Sequence, residues 1–198
     1  MSNNESFHHP EYSILGPELT SLVVQVGFVE GLHEERLEFS SISDAYQHIF
    51  RNNKEYAVLL WNGVPFRLSY TEDIPFIAED LLEMLEAIQH KKKKHHALFK
   101  TVHLDLEIDI TTQEDELTLH AAFRRVSGAY QDAYVPLSLL KISRNAFLSE
   151  WKMLLSQYVE AMKVSGSKLR SISANNTMRR LMQLEQQIPH SGRLYHRE

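Results

Sequence analysis

The chain of 198 residues contains no cysteine and carries a formal net charge of −5, which excludes disulfides, thiolate nucleophiles and thiolate metal sites. Its length suits one sizeable hydrophobic core, and no apolar run approaches the roughly twenty residues needed to cross a bilayer. The charge is uneven: residues 164–198 hold Lys168, Arg170, Arg179, Arg180, Arg193 and Arg197 against Glu185 and Glu198, a local +4 that leaves −9 on the remainder.

Residues 1–18 read as a polar leader with neither the basic start nor the apolar run of a signal peptide. A strand is expected over 19–30, with Leu22, Val24, Val26 and Phe28 on its apolar face, and "ERLEFS" (35–40) is expected to pair with it across Gly31. Ser43 is read as the cap of a short helix, "DAYQHIFRN", whose inner stripe is Tyr46, Ile49 and Phe50. "YAVLLWNGVPFRLSY" (56–70) is a hairpin: Asn62-Gly63 favours the positive φ angles of a type I′ turn, and Pro65 requires its strand to lie at an edge or that position to face away from a neighbour. Asp73 and Pro75 then open a helix that ends near Gln89, with Ile74, Ile77, Leu81, Leu82, Leu85 and Ile88 along one side.

"HLDLEIDI" (103–110) alternates ionisable and apolar residues, so His103, Asp105, Glu107 and Asp109 are expected on one face of a strand and the aliphatic residues on the other. Its hairpin partner is expected to place Ile110 opposite Leu117, Ile108 opposite Leu119, Leu106 opposite Ala121 and Leu104 opposite Phe123. The polar face then sets Glu107 against His120 and His103 against Arg124. "YVPLSLL" (134–140) fits strand or loop. Ser143 caps a long helix in which Phe147, Leu148, Trp151, Leu154, Leu155, Tyr158, Val159 and Met162 give a broad apolar side, and "SGS" (165–167) reads as a linker.

The expected fold is α+β: a mainly antiparallel sheet of about six strands built from hairpins, helices on one face, and a helical C-terminal tail. One domain over 19–163 is followed by a basic tail over 164–198. In that tail "ANNTMRRLMQLEQQIP" forms a short helix ending before Pro189, and Met178, Leu181, Met182 and Ile188, with Arg179 and Arg180 beside them, are the candidate partner-binding residues. Whether this helix docks on its own acidic body or on another molecule is left open by the sequence.

Asp105, Glu107 and His120 are the residue types that could ligate a hard cation. Same-face neighbours on a strand stand about 6–7 Å apart, however, and a sheet with one wet face yields the same alternation, so no metal site is expected. "HKKKKHH" (90–96) is read as a solvated helix end. The chain has no G-x-S-x-G elbow, no dinucleotide or P-loop glycine pattern, and no catalytic residues or cofactor are assigned. These features favour a non-enzymatic protein-interaction module, such as an adaptor, accessory subunit or immunity-type inhibitor of a bacterial cytosol. The alternatives are a nucleic-acid-binding accessory protein using the basic tail, and a metal-dependent hydrolase using the polar hairpin face.

Overall fold

In the computed structural model, which describes residues 22–27, 37–126 and 138–190, four helices and nine strands run in the order β1 (Leu22–Gln25), β2 (Glu38–Phe39), α1 (Ile42–Ile49), β3 (Tyr56–Trp61), β4 (Val64–Ser69), α2 (Ile74–Gln89), β5 (Lys94–Lys100), β6 (Leu104–Gln113), β7 (Glu116–Val126), β8 (Leu139–Ser143), α3 (Arg144–Ser165), β9 (Lys168–Leu169) and α4 (Ile172–Gln187). The fold is α+β, but the strands divide into three sheets: β1-β3-β4, β2-β9 and β5-β6-β7-β8. The single sheet of about six strands is thereby corrected. β1 pairs with β3 rather than with "ERLEFS", because Leu22 and Val24 find apolar partners along β3, whereas Glu38 and Phe39 pair in parallel with Lys168 and Leu169 of β9.

The first hairpin follows its turn chemistry. Asn62 and Gly63 have φ of 47° and 82°, the pattern of a type I′ turn, and Pro65 lies on β4, an edge strand. Trp61 is buried at the end of β3, with its ring edge-on to Phe123, while Phe66 stacks on the same ring. Three aromatic rings therefore join the three-stranded sheet to the four-stranded one.

The second hairpin keeps the expected faces in a different register. Ile110 pairs with Leu119, Ile108 with Ala121 and Leu106 with Phe123, and the strands close through Glu114-Asp115, with Glu114 at φ 55°. The displacement is two residues, an even step, so the side chains from Leu106 to Ile110 and from Leu117 to Phe123 stay on their assigned sides of the sheet. A bulge between Asp105 and Leu106 then sets Leu104 against Val126. Of "YVPLSLL", Leu139 and Leu140 open β8 and Ser138 precedes it, while residues 134–137 lie outside the described residues, as do the leader, Phe28, Gly31 and residues 191–198.

The helix ends show where local signals were misassigned. Ser41, not Ser43, caps α1: its Oγ accepts from the Asp44 amide at 3.0 Å. Asp73 precedes α2 without capping it, because its carboxylate is engaged elsewhere. Ser143 caps α3 as expected. Gly166, at φ 65°, stops that helix in the left-handed conformation, and the chain enters β9 two residues later, so "SGS" is a helix stop.

The apolar stripes of α1, α2 and α3 meet in one core with the inner faces of the sheets. Tyr46 and Tyr158 are fully buried within it; the Tyr46 hydroxyl donates to the Tyr158 carbonyl, and the Tyr158 hydroxyl to that of Ile74. Burial pushes both phenols far above their ordinary range, which keeps them neutral donors.

Ile108 is buried and Asp109 largely exposed. Ile108→Asp is therefore expected to unfold the domain or lower its denaturant midpoint sharply, whereas Asp109→Asn changes stability by under about 1 kcal/mol. Chemical denaturation of both variants checks this, and similar midpoints would show that the assignment of faces is wrong.

Candidate functional site

Three places gather chemistry-bearing side chains. The first is the outer face of the four-stranded sheet. Its rows run Lys100–Asp105, Leu98–Glu107–Ala122, His96–Asp109–His120–Leu139 and Lys94–Thr111–Thr118–Lys141 across neighbouring strands. Asp109 accepts from His96 Nδ1 at 2.9 Å when that nitrogen carries the proton. Arg124 donates to Glu107 Oε2 at 2.8 Å and holds that carboxyl below its usual range. The three ligand-type candidates do not assemble. Glu107 faces Ala122 instead of His120, His120 faces Asp109, and Asp105 lies at the bulge opposite Arg125. Among the described residues no three His, Asp or Glu side chains converge as a cation site.

The second is α4, which carries the candidate partner-binding residues. Leu181 and Ile188 are buried, Met178 and Met182 half-buried, Arg179 exposed, and the helix packs on α1, α2 and α3 of its own chain. Ion pairs direct it there. Arg180 makes a two-pronged contact to Glu86 on α2. Glu185 Oε1 lies 2.8 Å from Lys152 Nζ and 2.8 Å from Ser156 Oγ, both on α3. Lys152, itself buried, also donates to the Glu185 carbonyl. Arg170 lies 2.6 Å from Glu38, beside the β2–β9 ladder. The Arg170 and Arg180 pairs express the charge asymmetry of the sequence as contacts, whereas Lys152–Glu185 runs opposite to it; the partners Glu38, Glu86 and Lys152 carry no local motif that singles them out.

The third, at the junction of the two larger sheets, escaped sequence reasoning. Asp73 is fully buried, accepts from the Ser69 amide at 2.8 Å and the His103 amide at 3.2 Å, and lies 3.1 Å from His103 Nδ1. On the other side of the ring, Nε2 stands 3.5 Å from Glu72 Oε2. The expected row loses His103 to this site, because the strand begins only at Leu104 and the preceding turn directs the imidazole toward α2. The only local signal was Asp73 itself, which reads as a helix cap.

The segment "HKKKKHH", a turn over 90–93 that runs into β5 at Lys94, contributes less. Lys91 and Arg144 both approach Asp115, whose carboxyl they hold below its ordinary value, and burial, with Lys92 nearby, lowers that of His95.

Neither the protein-family models, nor the curated proteins, nor the solved structures contain a match to this chain. No described helix is long and apolar enough to cross a membrane.

Lys152, with its hydrogen bond foremost, holds Glu185 below the ordinary carboxyl value of 4.5. A group with a lowered folded value stabilises fully above its unfolded value and loses that contribution as the pH falls through the folded one. Glu185→Gln is therefore expected to be less stable than the wild-type chain at pH 7, and the gap should close as the pH is taken below 4.5. Thermal midpoints of both proteins across this range check it; a gap that does not change with pH would contradict the ion pair.

Proposed function

We propose that this chain is a non-enzymatic protein–protein interaction module of the cytosol, an adaptor, accessory subunit or immunity-type inhibitor, and that its contact surface is the open face of the four-stranded sheet. The observation that carries this reading is the composition of that face. Four strands present Leu98 and Leu139, both exposed, among five cations, Lys94, Lys100, Arg124, Arg125 and Lys141, and four acids, Asp105, Glu107, Asp109 and Glu116. Apolar anchors within a balanced field of charge suit a protein surface, where complementary charges set the register of docking.

The same balance argues against the nucleic-acid alternative, which needs a continuous cationic track along phosphates. Arg170 and Arg180 in the C-terminal segment already face Glu38 and Glu86. In this proposal α4 acts within its own chain by completing the fold, and the partner meets the sheet.

The double variant Leu98→Glu, Leu139→Glu places charge only on exposed positions and should retain the wild-type thermal midpoint within a few degrees. Affinity purification from the native cell is expected to recover a near-stoichiometric protein with the wild-type chain and to lose it with the variant. A partner retained by the variant would place the contact surface elsewhere, and recovery of nucleic acid that is released by salt would favour the alternative.

A further inference from the structure

We draw no further inference here: the strongest candidate, the outer face of the three-stranded sheet, where Val23, Val58, Leu60 and Pro65 lie alongside the exposed Tyr56 and Arg67, is an apolar face, and nothing in the structure shows what covers it.

Discussion

The apolar circumference of α3 governs this fold. Twelve of its twenty-two residues are buried, among them Phe147, Trp151, Leu154, Leu155, Tyr158 and Met162, and they are distributed over more of the helix than a single sheet can cover. Apolar area left in water costs about 25 cal/mol per Å², so the remaining elements arrange around this helix. β1 and β8 touch it, as do α1, α2 and α4. The C-terminal helix is therefore drawn in by the same requirement as the rest: Leu181, Leu184 and Ile188 belong to the common core. Lys152 on α3 reinforces the arrangement, since a buried ammonium must be paired, and α4 supplies both the carboxylate and a carbonyl of Glu185.

Covering α3 and α2 occupies only the inner side of the four-stranded sheet. Leu106, Ile108, Leu119 and Ala121 point into the core, and the alternation of the strand then fixes Glu107, Asp109 and His120 outside without further instruction. The open face that carries the proposed interaction is thus a consequence of core formation, and what distinguishes it is its balance of charge and its two exposed leucines. The junction at Asp73 arises differently. There the Ser69 and His103 amides donate to a buried carboxylate from a strand end and from the turn before β6, and the same carboxylate holds the half-exposed imidazole of His103 beside it.

Local periodicity made much of this legible. The stripe of α2, the broad side of α3, the Asn62-Gly63 turn and the two faces of β6 and β7 follow from spacing, because each depends on residues a few positions apart. Register was less accessible: hydrophobic matching is satisfied equally by any even displacement, and the observed pairing of Ile110 with Leu119 is one such alternative. Strand partners at long range were less accessible still, since nothing within Glu38-Phe39 names Lys168-Leu169 as its ladder. The Asp73–His103 contact spans thirty positions and joins residues whose local readings, cap and strand, were complete without it. For the C-terminal segment, opposite net charge gave the direction of attraction, while the surface it meets depends on the assembled helices.

The claim that α4 completes the core around α3 is tested most directly by native-state amide hydrogen exchange. If it holds, amides of 177–184 in α4 and of 151–159 in α3 open with the same free energy and the same denaturant dependence, as members of one cooperative unit. Exchange of the α4 amides through a low-energy local opening, with the α3 amides still protected, would contradict it and make α4 a separable arm.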